Sequence, residues 1–215
     1  LAAADALITT SIAEGFGMVF LECWLADRYL VGRDLPEITA DFVATGVNLS
    51  QLEPQLLVPV DWIGRGEFER DLQSAYHRML AAYHRSRPTS AEISREAEKL
   101  VRDGLLDFAR LSPRLQSKVI ASVASNGTYR DRLSELNSSI PALLTAIPEN
   151  GEELIKQNAL VVRQSFSLTS TGRRLRQLYE TILASPRGDI QHLDRGSEIL
   201  NSFLGLSRVH PIRID

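Results

Sequence analysis

The sequence predicts an α/β fold, with a small core of two or three parallel strands followed by a predominantly α-helical region, and three observations carry that prediction. Ala6 to Ser11 (ALITTS) and Tyr29 to Val31 (YLV) are short β-favouring runs on either side of a glycine turn and an apolar stretch, which is the order of a strand, turn, helix, strand unit. From Glu67 onward, apolar residues recur at spacings of three and four, the period of a helix rather than a strand. Charge shifts at nearly the same place: Leu1 to Gly64 holds nine acids against Arg28 and Arg33, a net of −7, while the remainder holds 18 acids and 22 basic residues, a net of +4. Three regions are therefore expected, at residues 1–64, 65–150 and 151–215.

The first unit turns on Ala13 to Trp24, AEGFGMVFLECW. Glu14 precedes Gly15 and Gly17, and Glu22 is the only charge in the apolar run that follows. A glycine turn after a first strand lies at the carboxyl end of the sheet, where open α/β folds bind ligands, so the backbone of Gly15, Phe16 and Gly17 is a candidate anion cradle. Glu22 is expected about two turns into a buried helix, where an ionised carboxylate costs several kcal/mol unless it gains donors. Ligand hydroxyls would be such donors. Other readings stand beside these: Glu14 caps the helix electrostatically, and Glu22 pairs with Arg28 or Arg33, or reaches solvent.

The form EGFGMVFLE, two glutamates with seven residues between them, resembles the E-x7-E motif of retaining, nucleotide-sugar-dependent glycosyltransferases of the two-Rossmann-domain (GT-B) architecture. The continuation VGRDLPEITADFVATGVNL is similar to the same family's next strand, Pro-Glu loop, short helix and glycine turn. A weaker similarity covers Arg163 to Ser185, which resembles the family's closing helix. The resemblance implies a partial Rossmann-like core, the carboxyl-terminal part of a donor domain, within 1–64. It places Glu14 on the donor sugar's hydroxyls as the catalytic residue, Glu22 on the nucleoside ribose, and Gly15, Phe16 and Gly17 against sugar and diphosphate. It implies a nucleotide-sugar donor, no metal ion, and an N-terminal GT-B domain, a partner chain or self-association to complete the site. The family's basic pair upstream of the motif has no counterpart here, so the isolated chain is expected to be inactive.

Further along, the Leu35-Pro36-Glu37 turn leads into a short helix stopped by Gly46, with Glu37 where the family places a polar loop near the donor. LLVPVDW, residues 56–62, is a possible third strand, at an edge because of Pro59. Phe68, Leu72, Ala75, Tyr76, Met79, Leu80 and Tyr83 mark an amphipathic helix ending near Arg87-Pro88. Thr89-x-x-Glu92 is a capping box, opening a stripe of Ile93, Ala97, Leu100, Val101, Leu105 and Phe108 that reaches about Arg110. Ser112-Pro113 supplies an N-cap with Pro at N1 for a helix closed by Asn126-Gly127. Helical runs are expected at Tyr129 to Leu136, Ile140 to Ile147, Glu152 to Gln164, Leu168 to Ala184 and Ser197 to Leu204, before an extended tail. The stripes of the middle region, which has no counterpart in the resemblance, are read as core-facing.

Composition excludes several classes. With 44% hydrophobic and 24% charged residues the chain is of ordinary globular type, and no apolar run approaches the ~18 residues of a membrane span. The start has neither a basic n-region nor an initiator Met and reads as an internal boundary or a processed end, and a cytoplasmic location is expected. The single Cys23 allows no internal disulfide and is expected to be a core residue. His77 and His84 lie seven apart on one helix, about 10.5 Å of rise, too far to share a metal directly. His192 and His210 stand alone in the sequence. Arg163, Arg173, Arg174 and Arg176 lack interleaved aromatic residues, so a solvated face is read there rather than a nucleic-acid site. No P-loop, dinucleotide or esterase motif occurs. The alternative to a transferase is a helical protein-interaction module that retains a piece of Rossmann core for stability.

Overall fold

The computed structural model describes residues 3–141, 149–185, 188 and 195–214, so most of the expected run Ile140 to Ile147, and His192, lie outside the described residues. The chain is α/β and mainly helical, and it divides into two compact units, residues 1–54 with 139–192 and residues 55–138 with 193–215. The division falls at Pro54 instead of Gly64. Residues after Asn150 do not form a region of their own, because the first unit needs a helix to cover its core and takes it from the carboxyl-terminal third.

In the first unit β1 (Ala6–Thr9) and β2 (Tyr29–Gly32) are parallel, with Ala6 opposite Tyr29 and Thr9 opposite Gly32. The connection between them is α1 (Val19–Leu25). Parallel strands need such a crossover and bury both faces, and Tyr29, Leu30 and Val31 are accordingly all buried. α2 (Pro36–Ala44) ends as its Gly46 predicts: the Gly46 amide donates to Val43 and the Val47 amide to Phe42, the paired bonds of a Schellman stop. α7 (Gly151–Ser165) packs on α1 and β2. Asn158 on α7 is buried and clamps the loop after α2, accepting from the Asn48 amide at 2.8 Å and donating to the Asn48 carbonyl at 2.8 Å. Phe20, Trp24, Leu30, Phe42, Ala159 and Val162 lie in one core. α8 (Leu168–Ala184), capped by the Ser167 hydroxyl, has no buried residue; Leu168, Leu175, Leu178, Tyr179, Ile182 and Leu183 are all exposed.

The second unit corrects the expected third strand. β3 (Leu57–Pro59) does not join the parallel pair; it is antiparallel to β4 (Leu105–Asp107). β4 in turn replaces the end of an expected helix. The stripe from Ile93 to Phe108 is interrupted because α4 (Ser90–Leu100) stops before Asp103 and Gly104, which both take positive φ, at 52° and 74°, while Arg102 and Leu105 exchange backbone bonds across them. That is a two-residue primed turn, for which Asp-Gly is a preferred pair. The helix expected to end near Arg87-Pro88 stops at Ala82, where His84 takes φ 53°, while the capping signals behave as expected. α3 (Arg65–Ala82) buries Phe68, Leu72, Ala75 and Leu80, although Tyr83 at its end is exposed. Thr89 and Glu92 make both bonds of the capping box. α5 (Pro113–Ser125) starts at Ser112-Pro113 and stops at Asn126, which caps α6 (Gly127–Leu136). The stripes of α3, α4 and α5 meet Val58, Leu106 and Leu111 in a second core. α9 (Gly196–Phe203) is followed not by an extended tail but by two short 3-10 turns, whose Leu206, Val209 and Pro211 are buried. Among the described residues no helix is long and apolar enough to cross a membrane.

Candidate functional site

The strongest constellation of polar groups set into apolar sequence is the crossover that leaves the carboxyl end of β1. Thr9 is buried at the end of the strand, Ser11 to Glu14 are half-buried, and Gly15 and Phe16 are exposed, Phe16 at 87%. The loop then dives, because Gly17 is buried at φ +63° against α2. A Cβ there would strike Ile38 Cγ2 and approach the Phe42 and Phe20 rings at 3.1 and 3.2 Å. Gly17 is thus fixed by backbone conformation and by space, whereas a Cβ on Gly15 would meet nothing within 4 Å.

Glu14 is held from within the same loop. The Ser11 hydroxyl donates to Glu14 Oε1 at 2.5 Å, a charge-assisted bond that restrains the carboxylate rotamer. Among the described residues Oε2 has no protein donor, and the amides of Gly15, Phe16 and Gly17 have no acceptor. The turn therefore carries a half-buried carboxylate restrained through one oxygen, followed along the chain by backbone donors, those of Gly15 and Phe16 on exposed residues. Such a pair can accept from hydroxyl groups and donate to anionic oxygens of one ligand.

Glu22 is not where the sequence puts it. α1 begins only at Val19, after an N-cap at Met18 that makes no side-chain bond. Glu22 therefore lies in the first turn, not two turns in. Phe20, Leu21, Cys23 and Trp24 take the buried face, and Met18, Glu22 and Leu25, spaced four and three apart, form the exposed stripe. Of the open alternatives, solvent exposure is the one observed. The exposed Glu22 carboxylate has no burial cost to offset.

Cys23 is fully buried, and burial pushes its thiol up to about 12, which removes it as a nucleophile at neutral pH. Glu37 is exposed in the first turn of α2. Among the described residues no group of three His, Cys, Asp or Glu side chains is arranged to hold a metal ion. The member missed by sequence reasoning is Ser11. Its signal was present, a hydroxyl three residues before an acid in a loop, the spacing at which Ser side chains bond locally.

No family model, curated protein or solved structure matches the chain.

Proposed function

We propose that the segment from Ser11 to Glu22 forms part of the donor pocket of a retaining, nucleotide-sugar-dependent glycosyltransferase of GT-B type, the chain contributing the donor-binding portion. The observation that carries this reading is the glycine turn at the carboxyl end of β1, with the Glu14 carboxylate restrained by Ser11 and followed by three amides that have no acceptor among the described residues. A nucleoside-diphosphate sugar has the complementary groups. Its sugar hydroxyls donate to Glu14, its diphosphate oxygens accept from Gly15, Phe16 and Gly17, and its ribose hydroxyls donate to Glu22, which exposure leaves open to a ligand. In transfer the bond between the anomeric carbon and the diphosphate breaks, an acceptor hydroxyl bonds to the anomeric carbon, and its proton leaves with the nucleoside diphosphate. The acceptor side of the cleft comes from an N-terminal GT-B domain, a partner chain or a second copy. No step in this scheme uses a metal ion, and a cytoplasmic enzyme fits its nucleotide-activated substrate.

The test is calorimetry with a panel of nucleoside diphosphates. Glu22→Ala should remove about 1.5–3 kcal/mol of affinity, the range for bonds to a charged group, and Glu22→Gln less. Equal affinities for wild type and Glu22→Ala would sink the ribose assignment.

A second reading is favoured by α8. Its exposed Leu168, Leu175, Leu178, Tyr179 and Ile182 share one side of the helix, an unpartnered apolar stripe suited to protein docking. A helical interaction module would be indifferent to every nucleotide in the panel.

A further inference from the structure

We infer that Ser11 is a positioning residue for Glu14, and that it determines how strongly the pocket discriminates a sugar-bearing nucleotide from the bare nucleoside diphosphate; this rests on the donor-pocket reading above. The Ser11 hydroxyl donates to Glu14 Oε1 at 2.5 Å, with both residues half-buried, and it is the carboxylate's one protein hydrogen bond among the described residues. The two residues sit on a loop with no regular secondary structure. Neither a helix nor a strand therefore fixes the Glu14 backbone, and its side chain would otherwise sample several rotamers. A carboxylate that must be ordered upon binding gives up part of its interaction energy to that ordering. Ser11 has already ordered it, and in doing so occupies one oxygen and leaves Oε2 for the ligand. The restraint is specific to the sugar half of the donor, because Glu22 and the amides of Gly15 to Gly17, which meet the ribose and diphosphate, do not bond Ser11.

The experiment compares dissociation constants for UDP, ADP and GDP with those for UDP-glucose, ADP-glucose and GDP-mannose, on the 215-residue chain and its Ser11→Ala, Ser11→Thr and Glu14→Ala variants. For whichever base binds, the affinity ratio of sugar nucleotide to diphosphate reads the sugar's contribution alone. Ser11→Ala should lower that ratio about three- to tenfold, the scale of ordering one side chain on binding, with diphosphate affinity unchanged. Ser11→Thr, which keeps the hydroxyl, should restore the ratio, and Glu14→Ala should lower it at least as far. A wild-type ratio in Ser11→Ala, or equal losses for diphosphate and sugar nucleotide, would overturn the positioning role while leaving the donor pocket standing. A wild-type chain that binds none of the six ligands would overturn both.

Discussion

Gly17 and Gly15 are two residues apart and make opposite demands on a methyl group. At Gly17 the backbone is at φ +63° and a Cβ would run into Ile38. Left-handed conformation costs a non-glycine residue roughly 1–2 kcal/mol, and overpacking a filled site adds about 1–3 kcal/mol. Gly17→Ala should therefore destabilise the first unit by about 2–5 kcal/mol, read as a lower urea midpoint, and an unchanged midpoint would remove the packing role argued for it. Gly15 lies in open space, so Gly15→Ala should leave the midpoint unchanged within ~0.5 kcal/mol, as surface changes do. On the proposed donor-pocket reading its methyl should instead weaken diphosphate binding at the turn. This pair separates the glycine held by packing from the one in open space, a distinction that the EGFG sequence does not make. The glutamates show the same limit. The sequence marked both Glu14 and Glu22, but it placed the second in a buried helix because a Gly-Phe-Gly-Met run has no side chain that caps a helix, and without a cap the start cannot be located from residues alone.

Where a helix is opened by side-chain chemistry, its start was legible. Thr89 with Glu92 and Ser112 with Pro113 cap as their sequence signals indicate. The element that was not legible was β4, because Leu105 and Phe108 continue the periodicity of α4 and only the Asp103-Gly104 pair marks the reversal. Packing of one helix on another is equally hidden from local pattern. Glu67 on α3 receives Lys118 and Arg114 from α5, with Arg114 also on Asp71, a cluster joining residues about fifty apart in sequence. The hydrogen bond from Lys118, then that from Arg114, pulls the Glu67 carboxyl down to about 2 from its ordinary 4.5. A carboxyl lowered by folding contributes stability that is complete above its ordinary range and is lost as pH falls through the lowered value. Melting temperature should thus fall between about pH 4.5 and pH 2 in part through this site. The difference between wild type and Glu67→Gln should be largest near neutrality and close towards pH 2. A difference that stays constant with pH would show that the cluster does not tie α3 to α5 through the charge on Glu67.

At the level of the whole chain, the parallel sheet has two strands among the described residues, against a usual five or six. Among the described residues β1 pairs only with β2, and Ile8 on it is exposed. An unpaired edge of this kind invites another chain. α8 adds a stripe that no described residue covers, with Leu168 exposed at 92%. Both features lead to the same expectation. Purified at micromolar concentration, the 215-residue chain should self-associate, and Leu178→Lys with Ile182→Lys should shift it toward monomer in light scattering. Its melting temperature should hardly change, since α8 buries no residue. On the proposed donor-pocket reading, the same preparation should bind a nucleoside diphosphate without turning over a sugar donor, because a GT-B reaction takes place between two Rossmann domains and the parallel sheet has two strands among the described residues. A donor-hydrolysis assay run beside the scattering measurement decides the point. A monodisperse monomer that releases nucleoside diphosphate at an enzymatic rate, and loses that rate with Glu14→Ala, would show that this chain is a complete catalyst and that neither the β1 edge nor the α8 stripe awaits a partner.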